Sequence, residues 1–184
     1  FQKLNKNTTT PFSSFLKLNH IYAMCASPER FIKKSGNRLI SQPIKGTRRR
    51  GENPEQEIIL IKELTSSEKD ISENVMITDL VRNDLSITAT KGSVKVTELC
   101  GVYTFEKVHQ MITTITSEID AKVHFSTILK SIFPMGSMTG APKLKAMELI
   151  EEFESFKRGI FSGAIGYITP KGDFDFNVVI RTIL

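Results

Sequence analysis

Apolar and polar positions alternate from Phe15 to Ala26 with a break at Asn19 and His20, which predicts a β-hairpin turning at that pair. A second hairpin is predicted from Phe31 to Ile44, turning at Ser35-Gly36-Asn37. Gly46 to Pro54, GTRRRGENP, reads as a loop because glycine, proline and polar residues dominate it. From Glu55 to Asn83 the period lengthens to that of a helix. Two helices are expected there, meeting near Thr65-Ser66-Ser67, with Ser66 or Ser67 capping the second through a hydroxyl that accepts from a free amide. Gly92 to Glu98 and Lys107 to Glu118, rich in Val, Ile and Thr, predict strands. His124 to Phe133 is a short helix, another begins at Pro142, and strands over Ile160 to Thr169 and Asp173 to Leu184 flank a turn at Pro170-Lys171-Gly172. Strands mixed with helices, without regular βαβ alternation, predict an α+β domain.

The segment FPMGSMTGAPKLKAMELIEEFE, Phe133 to Glu154, carries the sharpest local pattern. Ala146, Leu149, Ile150 and Phe153 fall on one helix face. Pro142 suits the first helical position, where its missing N–H would have no partner. Gly136 and Gly140 ahead of it allow backbone to approach a ligand, and Thr139, Lys143 and free amides make the helix entry a candidate anion site. It is not a nucleotide P-loop, since only three residues separate the glycines and no GK[ST] follows. A plain helix entry is the competing reading.

The chain of 184 residues is 40% hydrophobic and 24% charged, within the globular range. No apolar run approaches the ~20 residues a spanning helix needs, and the polar start FQKLNKNTTT is no signal peptide. The first residue is not Met, so the sequence is expected to begin inside a longer protein. Two cysteines, Cys25 and Cys100, make neither a disulfide framework nor a zinc motif, and a reduced cytoplasmic setting is expected. The net charge of +5 and the run Arg48-Arg49-Arg50 raise a nucleic-acid reading. Without interleaved aromatics for base stacking, that reading is the weaker one, and a small anionic ligand uses the same positive field.

Several residues carry candidate chemistry. Asp70 and Glu73 are three apart on the predicted acidic helix, so their carboxylates share a face. They are either a solvated pair or ligands for Mg2+, which takes a few carboxylate oxygens and keeps waters. Lys45, in QPIKGT, is a surface lysine or, if held near other cations, a nucleophilic amine. Glu29, in SPERF, is a surface ion-pair partner or, in an apolar pocket, a general acid. His109 lies on an alternating strand and is structural or catalytic. Tyr167 and Arg181 fall on the last two strands, and an arginine within VVIRTIL asks for an anionic partner such as a ligand carboxylate.

SPERF, QPIKGT, SEN…DLVRND, the histidine strand, GSMTGAPK, GAIGY and VIRT follow one another in an order that closely resembles the chorismate-utilising family. That family includes anthranilate, aminodeoxychorismate, isochorismate and salicylate synthases, and the likeness runs from about Pro11 onward. GSMTGAPK followed by KAMELI is the most specific part. The resemblance implies an anthranilate synthase component I-like α/β sandwich, here incomplete at both ends, with residues 1–184 as a partial chorismate-binding catalytic domain. It implies Glu29 as the acid releasing the C4 hydroxyl of chorismate, Glu73 as an Mg2+ ligand helped by Asp70, and His109 beside the leaving hydroxyl. Tyr167 and Arg181 would hold a substrate carboxylate, while Gly46, Thr47, Thr139, Gly140, Ala141 and Lys143 would line the pocket. Lys45 stands where aminodeoxychorismate synthases typically carry a lysine that attacks C2, and where the other members have alanine. The resemblance further implies chorismate as substrate and a glutamine amidotransferase subunit supplying ammonia, with no nucleic acid and no membrane. Anthranilate synthase component I is the neighbouring alternative.

Overall fold

The computed structural model describes residues 1–8 and 10–184. A short helix α1 (Gln2–Thr8), which the sequence pattern does not anticipate, precedes the first predicted hairpin, β1 (Phe12–Leu18) and β2 (Ile21–Ser27). The second hairpin forms as β3 (Arg30–Ser35) and β4 (Arg38–Gln42). Its chain then continues into β5 (Ile44–Arg49), a strand where a loop from Gly46 was expected. The polar side chains misled, because β5 is held by backbone pairing to a later strand rather than by apolar packing.

Helices α2 (Pro54–Ser66) and α3 (Glu68–Ser86) meet at Ser67, as the pattern predicts. Asn53 caps the first by accepting from the Gln56 amide, and the Ser67 hydroxyl caps the second by accepting from Asp70. Strand β6 (Lys95–Thr104) outruns its expected end by passing two register shifts, and β7 (Val108–Glu118) is the longest strand. Helix α4 (Phe125–Ile132) is followed by a single 3-10 turn, Gly136–Met138, and by α5 (Lys143–Phe153). Pro142 is the residue before α5 rather than its first, with ψ 138 still extended. The final predicted strands shrink to β8 (Gly166–Ile168), β9 (Phe174–Asn177) and β10 (Thr182–Ile183).

Seven strands form the main sheet in the order β5-β7-β4-β3-β9-β8, with β6 added to β7. Strands β4 and β5 lie end to end along one edge of β7, separated by Pro43, whose carbonyl accepts from Thr113. A smaller sheet, β1-β2-β10, joins the first hairpin to the end of the chain. Helix α3 covers one face of the main sheet through Ile77, Val81 and Leu85, which pack with Ile32, Leu39 and Ile115. Their spacing of four is the stripe a sheet-facing helix needs. Buried Asn74 fits under this face because it donates to the Met111 carbonyl and accepts from Thr113.

The predicted apolar face of α5 forms but is only partly covered: Phe153 is 74% exposed and Leu149 is exposed, while Ala146 and Ile150 are half-buried. Both cysteines are unpaired. Among the described residues no helix is long and apolar enough to cross a membrane.

Candidate active site

Glu29 sits in the connection between β2 and β3, 5% exposed, with its amide accepted by the Ser27 hydroxyl and its carbonyl taking the Val178 amide. Burial removes water from its carboxyl and pushes its pKa from 4.5 up to about 7. Ser137, the positive charges of Lys45 and Arg181, and the Ile44 backbone oppose that rise without cancelling it. Three segments distant in sequence, QPIKGT, GSMTGAPK and VIRT, therefore act on the carboxyl that SPERF supplies.

Lys45 is half-buried on β5. A register shift between Ile44 and Thr47 lets Gly46 adopt φ +87. A Cβ there would come within 2.9 Å of Leu64 and 3.0 Å of Asp70, so only glycine lets β5 lie this close to α2 and α3. Thr47 is exposed at the same edge.

The GSMTGAPK segment is pressed onto α3. A Cβ on Gly136 would lie 2.7 Å from Leu80, which explains the glycine. A cavity of about 20 Å³, room for one water, lies between Glu29, Ser41, Asp84, Gly136 and Ser137. Lys143 is not an open anion-binding cation: its ammonium donates to buried Asp84 and to the Ile132 carbonyl. Thr139 donates to the Met135 carbonyl and, with Phe133, Ile150 and Phe161, lines a separate groove of about 300 Å³. Gly140, at φ 150, and exposed Ala141 complete the link into α5.

Arg181 is exposed rather than buried in the apolar run, because φ 51 turns it away from the strand path just before β10. It makes no ion pair among the described residues, and it lines a small cavity of about 40 Å³ with Pro28 and Gln110. Tyr167 does not join it. Tyr167 is 63% exposed on β8 and borders another groove beside Phe12 and the Arg30–Asp175 ion pair.

His109 lies on β7. Residues of opposite parity on β7 face opposite sides, and His109 faces the helices with Met111 and Thr113. It is fully buried, its Nδ1 2.9 Å from the Thr104 hydroxyl and its Nε2 3.2 Å from Glu57. Its neighbour Gln110 takes the Arg181 side, a distinction that strand parity carries but the histidine's reputation obscures. Gln110, Ser137 and Asp84 are the residues that the sequence reading passed over.

The arginine run is engaged by acids. Arg48 pairs with Asp70 at 2.9 Å, Arg49 with Glu52 at 3.2 Å, and Arg50 with Glu57. A continuous basic face for nucleic acid is therefore not what these residues build. Burial alone would raise the Asp70 pKa, but the Ser67 hydroxyl and the Arg48 guanidinium outweigh it and hold the carboxyl below its ordinary value.

All 184 residues match the model of the chorismate binding enzyme family. The chain belongs to that family. It is 42% identical over 183 residues to aminodeoxychorismate synthase component 1 of Klebsiella aerogenes, and 43% identical over 183 residues to that of Escherichia coli K12. Those alignments take in 100% of this chain but only 41% and 40% of the relatives, so the chain spans about two fifths of their length. The crystal structure of anthranilate synthase component I from Streptococcus pneumoniae TIGR4 superposes with a TM-score of 0.87 at 30% identity, over 98% of this chain and 40% of that one.

For this member of the family, a divalent ion would find Glu73 first. Glu73 extends the Ile77–Val81 stripe of α3 by one turn, is half-buried, and makes no side-chain hydrogen bond or ion pair among the described residues. Asp70 is occupied by Arg48, and no group of three or more His, Cys, Asp or Glu converges among the described residues. One open carboxylate and one that must first leave an arginine fit Mg2+, which keeps several waters, better than a metal needing a full protein cage.

Proposed function

We propose that the chain is part of an aminodeoxychorismate synthase component I, which replaces the C4 hydroxyl of chorismate with an amino group. The observation that carries this reading is a half-buried lysine at position 45 on β5, the strand that follows the hairpin opened beside buried Glu29. Its positive charge lowers the Glu29 pKa against the effect of burial. The family resemblance places lysine there in aminodeoxychorismate synthases and alanine in anthranilate synthases. The relatives named aminodeoxychorismate synthase component 1 support the same branch.

In this mechanism the amine of Lys45 adds to C2 of the ring as the C4–O bond breaks. Glu29, kept protonated near neutrality by burial, gives its proton to the departing hydroxyl, which leaves as water. Ammonia then bonds to C4, the C2–N bond to Lys45 breaks, and the ring diene is restored. The net exchange is one hydroxyl for one amine, with the lysine regenerated. Arg181 offers an unpaired guanidinium for a ligand carboxylate. Mg2+, when bound, would grip a ligand carboxylate and polarise the ring, with Glu73 as its holder and Asp70 as helper once released from Arg48.

The ammonia source is a glutamine amidotransferase subunit, in keeping with relatives designated as a component. Product analysis tests the function: the natural full-length protein, given chorismate, Mg2+ and ammonium, should release 4-amino-4-deoxychorismate. Fluorescent anthranilate as the sole product would instead establish the anthranilate synthase reading that the structural likeness also favours.

A further inference from the structure

Asp70 and Glu73 stand one turn apart on α3, and of the two only Asp70 is paired with a cation. That cation comes from another element. The Arg48 guanidinium on β5 donates from Nη2 to Oδ2 of Asp70 at 2.9 Å, while its Nη1 donates to the Thr47 carbonyl at 3.0 Å. The backbone around this pair is held on both sides. Arg48 is paired with His109 on β7, and the Ser67 hydroxyl accepts from the Asp70 amide. Gly46 brings β5 so near α3 that an added Cβ would lie 3.0 Å from the Asp70 Cβ. What is left to exchange is the partner of the carboxylate. The Arg48 side chain is 29% exposed and that of Asp70 15%, so the guanidinium swings out to water without opening a hole in the core.

We infer that Arg48 is a placeholder cation: it holds the Asp70 carboxylate closed in the metal-free protein, competes with a divalent ion for it, and so sets the Mg2+ affinity of the α3 carboxylates. This rests on the reading of Glu73 and Asp70 as the residues that hold Mg2+. Two carboxylates one turn apart repel each other, and a cation beside them relieves the repulsion. Arg48 supplies that relief while no ion is bound. A guanidinium stays charged across the working pH range, so it yields to a competing cation and not to deprotonation. A protein whose Asp70 is open only part of the time binds the ion more weakly by that fraction. Ion pairs this near the surface are modest, which makes the factor about fivefold.

The test titrates MgCl2 into the natural full-length protein, without chorismate, in a calorimeter. Wild type is compared with Arg48→Gln, Asp70→Asn and the double variant. Arg48→Gln should bind Mg2+ about fivefold more tightly than wild type. In the Asp70→Asn background the same substitution should change affinity by less than about twofold, because no carboxylate is left to release. At one fixed Mg2+ concentration, the ion should also raise the melting temperature of Arg48→Gln more than that of wild type. An ion pair that served stability alone would lower the melting temperature on removal and leave Mg2+ binding unmoved.

Equal Mg2+ affinity in wild type and Arg48→Gln overturns the inference. So does a tightening that persists undiminished in the Asp70→Asn background. If Arg48→Gln does not fold, Arg48→Met decides by the same criteria. Glu73→Gln reports on the reading beneath: it should weaken Mg2+ binding by about tenfold or more, and unchanged affinity there would take the metal, and with it the role of Arg48, away from α3. Product identity is a separate readout that bears on the amination alone.

Discussion

Lys143 donates to Asp84, a carboxylate only 6% exposed, and so fastens the glycine-rich segment onto helix α3. The same carboxylate lines the water-sized cavity beside Glu29 and Ser137. Burial pushes the Asp84 pKa up even with Lys143 beside it. A sequence motif that reads as an anion site is therefore, at its lysine, a structural clasp that positions Ser137.

Removing one half of that clasp leaves a buried charge without a partner. Lys143→Met should lower unfolding free energy by about 3 kcal/mol near neutral pH. The deficit should shrink in acid as Asp84 protonates, because a neutral carboxyl needs no counter-ion. Adding Asp84→Asn to Lys143→Met should recover most of the loss. Urea unfolding of the two variants and wild type across pH measures this.

Glu29 gives activity and stability a shared pH signature. Its folded pKa of about 7 exceeds the ordinary 4.5, so the folded state binds the proton more tightly than the unfolded one. Stability linked to this group is fully present below pH 4.5 and falls as pH rises to about 7, by on the order of 3 kcal/mol. Glu29→Gln should flatten that slope and abolish turnover. Wild-type kcat/KM should decline above about pH 7 as the acid loses its proton. Parallel pH profiles of unfolding and of rate separate the two effects.

Much of this fold is legible in the sequence, for identifiable reasons. The Asn19-His20 turn, the Ser67 cap and the Val-, Ile- and Thr-rich run of β7 are set by local propensity, and each forms where the pattern puts it. Strand β5 is not legible, because its pairing with β7 is non-local and its side chains are polar. The positive charges of Lys45 and Arg181 act on the Glu29 carboxyl, and both come from segments distant from it in sequence. Tyr167 borders a groove beside Phe12, and His109 contacts Thr104 and Glu57, surroundings that residue type alone does not reveal.

His109 packs between β6 and α2 through Thr104 and Glu57, so its loss is structural. His109→Gln should destabilise the protein by roughly 1–3 kcal/mol, the range for leaving buried polar partners unmet. The pH profile of kcat/KM should keep its midpoint, because the groups acting on the acid that sets it, Ser137, Lys45, Ile44 and Arg181, do not include His109. Thermal unfolding beside a rate–pH curve checks both halves. A displaced midpoint would put the imidazole in the reaction.

The amine at position 45 is the central claim, and mass analysis of a trapped enzyme reads it most directly. Wild-type full-length protein incubated with chorismate and Mg2+, without ammonia, should gain the mass of chorismate less water, on the peptide containing Lys45. Lys45→Ala should gain none and release no 4-amino-4-deoxychorismate when ammonium is added. Undiminished product from Lys45→Ala would contradict the account.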